Sequence, residues 1–363
     1  MKNTYGTALT VTLFGESHGA AIGAVVDGLA PGIKIDEEYI NKKLEQRKAK
    51  GKISTKRHEA DKFEIVSGVF NGYTTGTPLC IVIKNEDIKS KDYDAMSRVA
   101  RPSHADLTAF YKYKGYEDFR GGGHFSGRIT APLVAVGAIL TKALEEKGIY
   151  IGTHIKQCYN VSDREFDTYE SDIKALSNMD FPVLDGDVAQ NMISAIEAAA
   201  SEGDSVGGVL ETAVVGVPRG VGEPWFDSVE SMISHIMFSV PAVKGIEFGK
   251  GFEISTMKGS KANDAYEYRD GHVVTKTNNN GGINGGITNG MPILFRTAIK
   301  PTPSIFKEQE TVDFIKEENT HLSLQGRHDP AIVHRARAVV DAVTAIALAD
   351  LLTVRFGTNY LGE

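Results

Sequence analysis

The chain is short of several things, and each shortage excludes something. It has two cysteines, Cys80 and Cys158, and one tryptophan in 363 residues. Both cysteines sit in apolar or β-like stretches, which excludes a disulfide framework or zinc site and suits a reducing cytoplasm. Positive charge is in deficit. Forty Lys and Arg against 47 Asp and Glu leave a net −7. The whole molecule therefore does not attract nucleic acid, and an anionic ligand needs a local basic cluster. No apolar run approaches the length of a bilayer span, and no basic-then-apolar signal opens the chain, so no membrane partner is expected. There is no Gly-Lys-Ser/Thr loop and no dinucleotide glycine spacing. Glycine itself is plentiful, at 38 residues, as many tight turns require. The length allows a large core in one domain or two.

The stretch Phe14-Gly15-Glu16-Ser17-His18-Gly19 joins an alternating run (Leu9, Val11, Leu13) to a second run, Ile22 to Val26. It reads as a tight turn between strands, with a carboxylate, a hydroxyl and an imidazole displayed. Much later, Gly203-Asp204-Ser205-Val206-Gly207 leads to Ala213-Val214-Val215-Gly216 at the same offset. A second pair also matches, Gly72-Tyr73-Thr74-Thr75-Gly76-Thr77-Pro78-Leu79 with Gly286-Ile287-Thr288-Asn289-Gly290-Met291-Pro292-Ile293. Two matches in one order indicate an internally duplicated β-rich unit, spanning about 7–150 and 195–355 of one domain. The second copy has Val206 where the first has His18. The turn does not need the imidazole, so His18 is a candidate for chemistry.

Asp36 suits the N-cap of a helix from about Glu37 to Lys50. From Lys42 to Arg57 there are eight basic residues and one acid, Glu45. Such a run is either a solvated face or, in an acidic protein, an anion site. Phe63 to Phe70 and Pro78 to Lys84 read as a hairpin around Asn71-Gly72. A polar loop, Asn85 to Ala100, delivers Arg101-Pro102-Ser103-His104 to a loop–helix junction. Arg120-Gly121-Gly122-Gly123 precedes a helix from about Pro132 to Lys147, with Thr130 as its cap. The free N–H groups at its start could face an anion. His235 reads as a packed helix residue. The segment Thr277 to Gly286 is too polar to pack and reads as a mobile or ligand-hugging loop. Asp329 and Pro330 read as N-cap and N1 of a long apolar C-terminal helix, Ala331 to about Arg355.

Three stretches together resemble the signatures of the chorismate synthase family. They are Gly15-Glu16-Ser17-His18-Gly19 running to Asp27-Gly28-Leu29-Ala30-Pro31, Arg120-Gly121-Gly122-Gly123 with Ser126-Gly127-Arg128, and Arg327-His328-Asp329-Pro330. Arg101-Pro102-Ser103-His104-Ala105-Asp106 and Lys300-Pro301-Thr302-Pro303-Ser304 are also similar. Two departures stand out. His124-Phe125 replaces the family's Arg-Ser, and Asp341 replaces a glutamate. The resemblance implies an α+β fold, a β-α-β sandwich, in a cytoplasmic homotetramer. It implies a lyase that converts 5-enolpyruvylshikimate-3-phosphate to chorismate and phosphate, by an anti-1,4-elimination that uses reduced FMN (FMNH2).

Carried over by motif, His18 would protonate the flavin near N1, and His104 would be a second acid near the substrate. Asp329, relayed through Ser17 and Ser126, would help take the proton from N5. Arg47, Arg57, Arg101, Arg128 and Arg327 would clamp the substrate's anions. His124, Phe125, Ser126, Pro241, Ala242, Gly285, Lys300, Pro301, Thr302, Pro303, Ser304 and Arg327 would line the flavin. Arg47 and Lys52 would meet the phosphate of NADPH, if NADPH is the reductant. Two other readings compete: an NAD(P)H:FMN reductase, and an anion- or RNA-binding module using Lys42 to Arg57.

Overall fold

The computed structural model describes residues 2–49, 51, 53–54, 60–86, 98–324 and 328–362. Alternating apolar residues make strands with one wet and one dry face. In Ile293–Ile299 every second residue is buried, and in Leu79–Lys84 Leu79, Ile81 and Ile83 point inward. Such strands need a partner layer on the dry face. Two five-stranded sheets supply this pattern. The first holds β1 (Thr4–Tyr5), β2 (Thr10–Gly15), β3 (Ala21–Asp27), β4 (Phe63–Ser67) and β5 (Leu79–Lys84), in the order β1-β2-β3-β5-β4. The second holds β6 (Tyr150–Cys158), β7 (Val161–Ser162), β8 (Gly208–Val215), β9 (Val243–Phe248) and β10 (Ile293–Ile299), in the order β9-β10-β8-β6-β7. All their pairings are antiparallel.

Among the described residues, seven α-helices of eight or more residues accompany them: α1 (Glu37–Arg47), α2 (Asp106–Tyr113), α3 (Thr130–Glu146), α4 (Tyr169–Leu176), α5 (Gly186–Ser201), α6 (Val229–Met237) and α7 (Val333–Phe356). Helix α3 packs on β3 and β5 of the first sheet, α7 packs on β6 and β8 of the second, and the two helices pack on each other. The helices therefore form a layer between the sheets, in an α+β arrangement. Being covered on all sides, α3 and α7 are apolar nearly all round rather than striped. The segment Gly127–Glu146 is apolar and long enough to cross a bilayer, contrary to the expectation from sequence. Its apolar window is 89% buried inside the protein, which makes it a core helix.

Four strands of the second sheet, read β6-β8-β10-β9, follow the order of β2-β3-β5-β4 in the first, while β7 follows β6 in the chain where β1 precedes β2. A small hairpin precedes β5 (Val69–Phe70 with Tyr73–Thr74), and another precedes β10 (Ile283–Asn284 with Ile287–Thr288). In each, one threonine repeats the same bond pattern. Thr74 Oγ1 donates to Ala30 O at 2.6 Å and accepts from Ile33 N at 2.9 Å. Thr288 Oγ1 donates to Pro218 O at 2.6 Å and accepts from Val221 N at 3.0 Å. The second sheet begins at Tyr150, ahead of the residue 195 expected for the second unit.

Several local expectations are corrected. Helix α1 ends at Arg47, because Lys48 turns extended (φ −68°, ψ 154°). Thr130 is the first residue of α3 and caps nothing, its hydroxyl donating to Gly127 O. The cap lies earlier, where Ser126 Oγ accepts from Arg128 N before the turn Gly127–Ile129. Asp329 does not cap α7, which starts at Val333. The stretch 277–286 is held by a carboxylate outside it. The Asp264 carboxylate accepts from Thr277 Oγ1, Asn279 N and both nitrogens of Asn280, so local bonds replace the missing apolar packing.

Candidate active site

The turn after β2 meets the triple glycine. Gly121 has φ +59°, and a Cβ there would fall 2.1 Å from His18 Cε1. Only glycine allows that approach. Ser17 N donates to Gly123 O at 3.1 Å, which ties turn and loop together. Ser17 Oγ lies 3.1 Å from His18 Nδ1, and 3.2 and 3.1 Å from the carbonyls of Arg120 and Gly121. Carbonyls only accept, so the hydroxyl proton goes to them and His18 Nδ1–H donates to Ser17. Both residues are buried. Asp118 stands nearby, its carboxyl held low first by hydrogen bonds from Arg120 and also by His18. His124 Nδ1–H donates to Gly15 O at 2.7 Å, closing the other side of the turn.

This loop is one wall of a cavity of about 910 Å³. Gly121, Gly122, His124, Phe125 and Ser126 line that wall. Arg101, His104, Pro241, Ala242, Lys300, Thr302, Pro303 and Asp329 line others. Residues from five separate stretches thus share one space.

His104 sits just before α2, with Nε2 2.8 Å from Ser304 Oγ. Its pKa is pushed down to about 4, first by burial and then by the charge of Arg101, with Lys300 and His328 adding to it. Arg101 is fixed by a two-pronged pair with Asp106 at 2.8 and 2.7 Å. Lys300 Nζ donates to Ser103 O at 2.6 Å. Asp329 accepts from Arg335 Nη2 at 2.6 Å. Burial lowers the His328 pKa, and its Nε2 is buried without a partner among the described residues.

Other expected residues lie elsewhere. Arg47 and Arg128 are behind the wall, both paired with the buried Asp61. Ser17 bonds to His18 and to backbone, and neither it nor His18 lines the cavity: both are buried behind the glycine loop. Pro301, Ser304 and Gly285 are also absent from the lining, Ser304 being bonded to His104 and Gly285 being in the turn of the hairpin before β10. Lys52, Arg57 and Arg327 lie outside the described residues. The basic run is already largely engaged where it is described. Lys42 bonds Asn178, Lys43 is buried in α1, and Lys48 pairs with Glu45. Sequence reasoning missed Arg335, Asp61, and the Lys2–Tyr5 segment that also borders the cavity. His235 is packed edge-on against Tyr5 at 5.3 Å, as a helix residue should be, yet it too borders the cavity. A signal for Arg335 existed: an arginine in the first turn of an otherwise apolar helix needs a carboxylate.

A β-α-β layered fold with histidines, arginines and a carboxylate gathered around one cavity defines the class: an α+β enzyme that works in an internal pocket. A family model described as chorismate synthase matches residues 9–353. Chorismate synthase of Pyrococcus abyssi is 47% identical over 350 residues, covering 96% of this chain and 97% of that protein. Chorismate synthase of Dehalococcoides mccartyi is 45% identical over 353 residues, covering 97% and 96%. A solved structure titled "Crystal Structure of Chorismate Synthase" superposes with a TM-score of 0.76 at 29% identity, over 97% of this chain and 94% of that one. The chain belongs to the chorismate synthase family. The full-length relationship fits the synthase reading and not that of an NAD(P)H:FMN reductase.

Proposed function

We propose that the enzyme is a carbon–oxygen lyase that releases phosphate from 5-enolpyruvylshikimate-3-phosphate to give chorismate, with reduced FMN as cofactor. The observation that carries this reading is one shared cavity, which gathers His104, Asp329, Arg101, Lys300 and the glycine loop from remote parts of the chain. Its volume, about 910 Å³, is near the top of the ~300–1,000 Å³ range of small-molecule sites, so a flavin and a small substrate can share it. The walls fit such a pair. Val11, Leu13, Leu133 and Val240 offer an apolar surface for a ring system, and Arg101, Lys300 and Arg335 offer charge for phosphate and carboxylate. Gly121 and Gly122 give bare backbone for close approach.

When bound, reduced FMN supplies the electron density that an allylic phosphate needs to depart. The protein binds, orients and handles protons. Arg101, held flat by Asp106, meets an anionic group of the substrate. His104 is neutral at neutral pH in the ligand-free protein. A bound phosphate or carboxylate would raise its pKa, so the substrate itself would charge it as an acid. His18 holds a proton on Nδ1 against Ser17. The carboxylate of Asp329, oriented by Arg335, serves as proton acceptor. NADPH as ultimate reductant, a cytoplasmic location and a homotetramer belong to the same proposal.

The test is a titration with oxidised FMN, followed by absorbance. Adding the phosphorylated substrate should tighten FMN binding and change the flavin spectrum. A spectrum indifferent to the substrate would contradict a shared cavity.

A further inference from the structure

Asp61 has no exposed side-chain surface. Its oxygens are divided between two arginines from different elements. Oδ2 accepts from Arg47 Nη2 at 2.6 Å, at the end of α1, and Oδ1 accepts from Arg128 Nη1, beside the glycine loop. Burial works against its charge, but the two guanidiniums outweigh burial and hold the carboxyl below the usual range. Arg128 Nε then donates to Asn85 Oδ1 at 3.1 Å. Asn85 Nδ2 donates to the carbonyls of Glu16 and Gly19, both at 2.9 Å. Those two carbonyls flank Ser17 and His18. At the other end, Arg47 is close enough to Arg335 to disfavour its charge, and Arg335 holds Asp329. A chain of ion pairs and hydrogen bonds therefore runs from Arg47 through Asp61, Arg128 and Asn85 to the His18 turn. It passes behind Ser126, Gly127 and Thr130 of the cavity wall. Without the shared carboxylate, two buried guanidiniums would face each other uncompensated.

We propose that Asp61 is a positioning residue for the reaction: it locks Arg47 and Arg128 behind the cavity wall and, through Arg128 and Asn85, sets the turn that presents His18. This rests on the function proposed above and adds a residue to it. Asp61→Asn keeps the shape and removes the charge. Asn85→Ala cuts only the last link and leaves the Arg–Asp–Arg bridge in place, so it decides the matter if Asp61→Asn does not fold. Each is compared with wild type by anaerobic phosphate release with chemically reduced FMN, and by NMR of the His18 ring in ligand-free protein.

The expected result is a kcat lower by about 10–100-fold in both variants, the scale of a group displaced by roughly 1 Å. KM should change far less, the His18 ring signals should shift, and Asp61→Glu should recover part of the rate. Asn85→Ala with wild-type kcat and unmoved His18 signals would overturn the proposal. No phosphate release by wild type would instead overturn the reading beneath it, and the NMR comparison would still judge the positioning role.

Discussion

His104 shows how a residue's surroundings decide its state. With a pKa near 4 it is uncharged in the ligand-free enzyme at neutral pH, because burial and the Arg101 charge both oppose its proton. An NMR titration of the free protein should place it near 4, and adding the phosphorylated substrate should move it upward. No movement would remove His104 as the acid. His18→Ala should lower turnover by roughly two to four orders of magnitude, the usual share of a positioned acid or base. His104, in a proline-fixed turn, falls on the cavity lining as its place in the sequence suggests, whereas His18 packs against the glycine loop behind the wall. Asp329 was partly misread. The pattern Asp-Pro before an apolar run mimics a helix cap, but α7 begins at Val333 and the carboxylate turns to Arg335 instead. Asp61 was invisible, since a lone aspartate before a strand has no pattern until its two arginines are placed.

Elements carry the next level of consequence. The approach of the glycine loop to the His18 turn leaves no room for a side chain. Gly121→Ala should therefore cost activity heavily, because its Cβ would meet the His18 ring at about 2.1 Å. Gly186→Ala, where a Cβ meets nothing within 4 Å and which lies outside the cavity, is the control, and kcat of the two variants side by side checks the claim. The helical layer is equally tight. A Cβ on Gly137 of α3 would lie 2.4 Å from Ala342 Cβ of α7, so Gly137→Val should lower stability by about 1–3 kcal/mol or more in denaturant unfolding. In the second sheet, His154 is fully buried between Asp163 (2.8 Å) and Glu211 (3.0 Å). Burial opposes its proton, but the two carboxylates prevail and raise its pKa. His154→Phe would take the shared partner from two buried carboxylates, Asp163 keeping its backbone donors and Glu211 its neighbour Arg296, and should cost about 3–5 kcal/mol, read from the unfolding midpoint. Strands and the long helices were legible from period and length. The stretch 277–286 was not, because its order comes from one remote carboxylate, Asp264.

At the scale of the molecule, pH should act on stability through buried histidines. His104 and His334 both have folded pKa values near 4, His334 through burial first and Arg335 second. The unfolded chain binds their protons near 6.5. Between about 6.5 and 4 the unfolded state therefore holds more protons, and stability falls as pH falls through that window. His154 has the opposite sign: its contribution is full at low pH and is lost as pH rises through its raised pKa. Unfolding midpoints from pH 7 to 5 should decline more steeply in wild type than in a His104→Gln, His334→Gln double variant. The glycine-bracketed stretches precede β3 and β8 in one pair, and β5 and β10 in the other. The helical layer between the sheets came only from the family resemblance, whose β-α-β sandwich the fold matches, because apolar content alone does not say which faces a helix buries.

The most direct measurement is anaerobic incubation of the enzyme with chemically reduced FMN and 5-enolpyruvylshikimate-3-phosphate, following phosphate and chorismate together. Both should appear in equal amounts, with the flavin still reduced at the end. Phosphate that never forms, or flavin consumed in step with product, would contradict the assignment.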